Sequence, residues 1–103
     1  MSDRLDALEA MLAEDPSDPF TRYAIAMELK GLERKADAQQ AFRDLIDAAP
    51  DYVASYYQLG RLLVDAGEDD DARPVIERGL AVAERAGDAH AASELRDLLD
   101  ELL

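Results

Sequence analysis

Apolar residues recur along this chain at helical spacing. Ala38, Ala41, Phe42, Leu45, Ile46 and Ala49 follow i, i+3, i+4, i+7, i+8 and i+11, one stripe of an α-helix. Residues 72–83 carry the same stripe a second time. Breakers stand between the stripes. In "DPSDPF", Asp18 suits an N-cap, with Pro19 at the first helical position. Pro50 interrupts the chain, Gly67 and Gly87 are placed to end helices, and Asp69 to Asp71 and Asp88 to begin the next ones. The pattern predicts six helices, at 2–14, 18–32, 35–48, 52–66, 70–86 and 88–102, and no strands.

The stripes repeat with a period. Displaced by 34 residues, Leu8 falls on Phe42 and then Ile76, Leu12 on Ile46 and then Leu80, and Pro16 on Pro50. Tyr23 falls on Tyr57, Ile25 on Leu59, Ala26 on Gly60, Leu29 on Leu63 and Ala38 on Ala72. Small residues land on small ones and large apolar ones on large apolar ones. Gly60 sits inside a predicted helix, where glycine costs about 1 kcal/mol against alanine. Close approach of another backbone or of a ligand is the expected return.

Tyr56, Leu59, Gly60, Leu63, Gly67, Ala72, Ile76 and Gly79 together resemble the tetratricopeptide repeat, whose pattern is W-x2-L-G-x2-Y followed by A-x3-F. Ile25, Ala26, Leu29, Ala38, Phe42 and Pro50 fit the preceding unit. Two departures stand out: Arg22 takes the place of the large aromatic, and Glu84 that of the second closing proline. The resemblance covers roughly residues 4–86 and implies an all-α, right-handed superhelical solenoid of antiparallel helix pairs. It implies one domain over 1–103: a half repeat at 2–16, repeats at 18–51 and 52–86, and a capping helix at 88–103. Ala92, Leu95 and Leu99 match Tyr56, Leu59 and Leu63 only after a shift of 36, and Arg96 replaces the glycine.

In the tetratricopeptide family a second stripe, on the first helix of each repeat, lines a groove that grips peptides or helices of partner proteins. Carried over by motif, that groove holds Phe20, Tyr23, Ala24, Met27, Lys30, Tyr57, Gln58 and Arg61. The last helix would add His90, Ser93, Glu94 and Asp97. Tyr and Arg are enriched at binding hot spots. Packing against neighbouring helices is the competing role for Tyr23, Met27 and Tyr57. A subset of the family clamps a C-terminal carboxylate with Lys, Asn and Arg. Tyr23, Met27 and Gln58 stand at three of those positions here, so that clamp is not expected.

Charge narrows the partners. Twenty-four acids against eleven Lys and Arg leave a net charge of −13 over 103 residues, which repels phosphate backbones and anionic membranes. Neither nucleic acid nor membrane is an expected partner. Arg exceeds Lys and Asp exceeds Glu, a bias that fits a salt-adapted surface and GC-rich codon usage equally. No apolar run is long enough for a span, the opening stretch lacks the apolar region of a signal peptide, and the expected location is cytoplasmic.

Catalytic chemistry has little to stand on. Cysteine is absent, and His90 is the only histidine, without a triad context. "GEDDDAR" lacks the alternation and glycine of a calcium loop and reads as a solvated first turn. No enzyme activity, cofactor or metal is expected. The expected function is protein–protein interaction through the groove. The alternative is self-assembly, as a homodimer, through apolar solenoid ends such as Leu5, Leu8, Met11 and Leu12. A third class, an acidic decoy for a nucleic-acid-binding protein, rests on charge alone.

Overall fold

The computed structural model describes residues 2–103; residue 1, the first of the predicted domain, lies outside them. All regular structure among the described residues is helical: α1 (Asp3–Glu14), α2 (Pro19–Gly31), α3 (Lys35–Ala48), α4 (Ala54–Asp65), α5 (Asp69–Ala86) and α6 (Ala89–Asp100). The fold class is therefore all-α, as the periodicity predicts. The chain forms two compact units, one ending at Pro50 with α1–α3 and one spanning Asp51–Leu103 with α4–α6.

Local chemistry sets the ends of the helices. Asp18 caps α2 as expected: one carboxylate oxygen accepts from the Phe20 N–H at 3.0 Å and the other from the Thr21 hydroxyl at 2.8 Å. Asp88 caps α6 by accepting from the Ala91 N–H at 3.0 Å, and Ser2 caps α1 through Leu5 at 3.1 Å. The start of α4 falls two residues later than predicted. The Tyr52 carbonyl there accepts from both the hydroxyl and the N–H of Ser55, at 2.6 and 3.3 Å, so the chain enters through a tight turn.

Three helices end in the same way. After α4, Gly67 takes φ +75°, its N–H donates to Val64 at 3.0 Å, and that of Glu68 donates to Leu63 at 2.8 Å. This is the Schellman pattern, which needs a left-handed residue past the cap. Gly87 repeats it after α5, at φ +70°. After α2 the left-handed residue is Glu33, at φ 61°, with Arg34 donating to Leu29 at 3.0 Å. Glu33 occupies the position of Gly67 one repeat earlier.

The predicted stripes are the packed faces. In the first unit Leu5, Leu8, Ile25, Ala26, Leu29, Ala38, Phe42, Leu45 and Ile46 are buried. In the second unit Tyr56, Leu59, Leu63, Ala72, Ile76, Leu95 and Leu98 are buried. Full burial of a Leu, Ile or Phe side chain contributes about 1.5–3 kcal/mol. Gly60 explains itself in this packing. A Cβ there would stand 2.7 Å from Ile76 Cγ1 on α5 and 3.1 Å from Leu98 Cδ2 on α6. Two helices close on one glycine, and their apolar contact offsets its helical cost.

Candidate functional site

In the first unit the predicted site residues sit on α2. Phe20 is 74% exposed, while Tyr23, Ala24, Met27 and Lys30 are half-buried. Tyr23, Ala24 and Met27 line one hollow of about 350 Å³, together with Arg4, Glu28 and Gly31. Phe20 and Lys30 lie on the same helix but outside that lining. The edge of one ring in the Tyr23 and Phe42 pair meets the face of the other, with centroids 6.0 Å apart and planes at 66°. Tyr23 thus both packs on the core and borders the hollow.

Sequence reasoning did not assign Arg4 and Glu28 to this place. Arg4 Nε stands 3.1 Å from Glu28 Oε1, an ion pair that joins α1 to α2 beside the hollow. The signal for it is opposite charge near the far ends of two antiparallel helices.

In the second unit the predicted residues are Tyr57, Gln58 and Arg61 on α4, all half-buried. Tyr56, next to Tyr57 and turned about 100° from it around the helix, is fully buried. Arg78 stands 5.7 Å from the centre of its ring. Burial raises the pKa of the Tyr56 hydroxyl, with Arg78 acting in the opposite direction.

Arg61 is heavily engaged. Its Nη1 donates to Glu101 Oε2 at 2.8 Å and its Nη2 to Glu101 Oε1 at 2.9 Å, a two-pronged pair spanning forty residues of sequence. Nη2 and Nε also donate to Asp65 Oδ1, at 2.7 and 3.1 Å. The hydrogen bonds to Glu101, and then to Asp65, push the guanidinium pKa further up. The same bond holds the Glu101 carboxyl below the usual glutamate range. Such bidentate, charge-assisted pairs are the strongest of the surface kind.

The four residues expected from α6 are placed as follows. His90 and Ser93 are exposed, Glu94 is half-buried and Asp97 is exposed. His90 Nε2 lies 3.3 Å from Glu94 Oε1. Glu101, which carries the longest-range contact of the face, was not anticipated; it lies one helical turn beyond Asp97. A second hollow of about 350 Å³ lies at the turn from α5 to α6, where Arg96 Nη2 meets Glu84 Oε2 at 3.1 Å. Among the described residues no group of three or more His, Cys, Asp or Glu is arranged to hold a metal ion. No helix there is long and apolar enough to cross a membrane.

Known proteins share this fold. The family model described as tetratricopeptide repeat matches residues 31–95. A TPR repeat-containing protein of Pseudomonas aeruginosa is 32% identical over 101 residues, covering 95% of this chain and 93% of the relative. The solution structure of a tetratricopeptide repeat domain protein from Salinibacter ruber is 39% identical, with a TM-score of 0.78 over 85% of this chain and 89% of that one. The TPR2B domain of yeast Sti1, solved as a complex with pHsp70, has a TM-score of 0.87 at 17% identity, over 95% of this chain and 78% of that one. At that identity the likeness concerns the fold.

Proposed function

The chain belongs to the tetratricopeptide repeat family, and on that premise we propose that it is a non-catalytic module holding a peptide or helix of a partner protein. The faces concerned are those of α2, with Phe20, Tyr23, Ala24, Met27 and Lys30, and of α4, with Tyr57, Gln58 and Arg61. The repeats behind them are 18–51 and 52–86, preceded by the half repeat 2–16 and followed by the cap 88–103.

One observation carries the reading. Tyr23 and Tyr57, one repeat apart, are both half-buried rather than enclosed, at the border of the packed face that holds the fully buried Ala26 in α2 and Leu63 in α4. A large aromatic left partly open, with the 74% exposed Phe20 a turn away from Tyr23, is the residue chemistry of a binding face. The fold is one used for protein–protein interaction, and the yeast relative's complex supports the same use here.

The test is capture of partners from lysate by the intact chain, by Tyr23→Ala and by Tyr57→Ala, with circular dichroism confirming the helices of each. Loss of the same partner in both variants supports the reading. Equal capture by all three proteins places binding elsewhere. Pairing of copies through the ends is the second reading, and Met11, 53% exposed on α1, favours it. Leu5 and Leu8 are already buried, so the open end is smaller than expected. Light scattering over a concentration series decides it, and a constant monomer mass removes it.

A further inference from the structure

The α4 face of the second unit says what kind of partner it fits. Tyr56 against Gly79 and Gly60 against Ile76 make α4 and α5 antiparallel. Gly79 near Leu95, and Arg73 donating to the Leu102 carbonyl at 3.3 Å, make α5 and α6 antiparallel as well. Helices α4 and α6 therefore run parallel, with Leu98 against Gly60 and Glu101 on Arg61.

Residues 94, 97, 98 and 101 fall on one side of a helix, at i, i+3, i+4 and i+7. Glu94 and Asp97 thus share the side that Leu98 and Glu101 turn toward α4. Continued one turn back from Arg61 and Glu101, the same register brings Tyr57 level with that stretch of α6. On that register the carboxylates of Glu94 and Asp97 fall beside the half-buried aromatic.

The one cation on this stripe of α4 is committed. Arg61 is 26% exposed, and its fork is filled by Glu101 and Asp65. A carboxylate from outside would have to compete with four charge-assisted bonds already made by Arg61. It would also meet the repulsion of Glu94 and Asp97. A lysine or arginine meets neither obstacle, and it gains the face of the Tyr57 ring, the carboxylate of Asp97 and that of Glu94, which it shares with the exposed His90.

We propose that this face takes a cationic segment of a partner protein, with a Lys or Arg side chain over Tyr57 between Glu94 and Asp97, and that Glu101 sets this preference by occupying Arg61. The proposal rests on the interaction-module reading above and names the partner's chemistry. The net charge of −13 favours the same sign of partner at long range.

The probes are a short lysine-rich peptide and a glutamate-rich peptide of the same length. Each is titrated into the 15N-labelled full chain and followed by amide shifts. The lysine peptide is expected to move Tyr57, Gln58, Arg61 and Asp97, and the glutamate peptide none of them. The double variant Glu94→Gln/Asp97→Asn should bind the lysine peptide about fivefold to tenfold more weakly. Asp69→Asn/Asp70→Asn, equal in charge change but at the start of α5, should bind as the parent does.

Equal weakening in both double variants would mean bulk attraction and overturn the proposal. So would lysine-peptide shifts away from α4, no shifts at all, or a glutamate peptide seated on Tyr57. Those outcomes leave the interaction-module reading to the capture experiment, which does not depend on the sign of the partner's charge. Glu101→Gln adds a second readout. By releasing Arg61 it should admit the glutamate peptide, and failure to do so counts against Glu101 as the setting residue.

Discussion

Tyr56 of α4 lies directly on Gly79 of α5, so closely that a Cβ at position 79 would overlap the tyrosine's own Cβ and stand 2.9 Å from its Cγ. One repeat earlier the sizes are exchanged. Arg22 stands in place of Tyr56 and is only half-buried, its Nε donating to the Pro16 carbonyl at 3.1 Å. Leu45 stands in place of Gly79 and is fully buried. Volume lost on one helix is returned on the other, as close packing demands.

Gly79→Ala should therefore cost more than Gly60→Ala. The obstacle at 79 includes an atom fixed next to the α4 backbone, whereas at 60 it is the Ile76 and Leu98 side chains, which can rotate. We expect about 1–3 kcal/mol lost for Gly79→Ala through overpacking. Gly60→Ala should cost less, because Ile76 and Leu98 can give way, while the gain in helix propensity of up to about 1 kcal/mol is common to both variants. Denaturant melts of the two variants check the order, and a more stable Gly79→Ala would contradict the packing.

The adjacent tyrosines should separate stability from binding. Tyr56→Ala removes a fully buried ring and should cost about 3–5 kcal/mol. Tyr57→Ala removes a half-buried ring and should cost much less, near the range of about half a kcal/mol usual for surface sites. It should weaken partner binding by about 2 kcal/mol as a hot spot would. Melting and capture measured on both variants check this, and the reverse pattern would mean that the two faces are exchanged.

Glu33→Gly should stabilise. A non-glycine residue at φ 61° carries a left-handed cost of roughly 1–2 kcal/mol that glycine avoids. Greater freedom in the unfolded chain takes back part of that gain. The net expectation is a rise of about 0.5–1 kcal/mol, read from urea midpoints. Gly67→Glu should shift the midpoint the other way.

Acid should loosen the end of α6. The Glu101 carboxyl is held below its ordinary value of 4.5 by Arg61. A carboxyl with a depressed folded-state pKa adds stability that is complete above 4.5 and is lost as pH falls through the lower, folded value. Amide exchange in the last turn of α6 should therefore rise below that range, and Glu101→Gln should show the faster exchange already at neutral pH. An unchanged exchange rate in Glu101→Gln would show the pair to be energetically idle.

Added salt should raise the melting temperature at neutral pH. Twenty-four acids against eleven bases repel one another, and screening relieves that repulsion. Thermal melts across a sodium chloride series check it. A fall would mean that pairs such as Arg61 with Glu101 outweigh the net repulsion.

What the sequence alone determined was local or periodic. The apolar stripes and the caps at Asp18 and Asp88 depend on residues within a turn or two of one another, and the 34-residue period on the recurrence of such stretches, so spacing was enough to place six helices and separate Tyr56 from Tyr57. The period also held a signal for Glu33, which it aligns with Gly67, but an acidic residue advertises no left-handed backbone. The tertiary structure decided what lies across the helices. That Arg61 is committed to Glu101 depends on how far α6 slides along α4, and that Gly79 carries Tyr56 depends on the register of α4 on α5. Helical periodicity says which side of a helix a residue occupies. Only the packed register says which residue of another helix it meets, because every turn offers the same face again 5.4 Å further on.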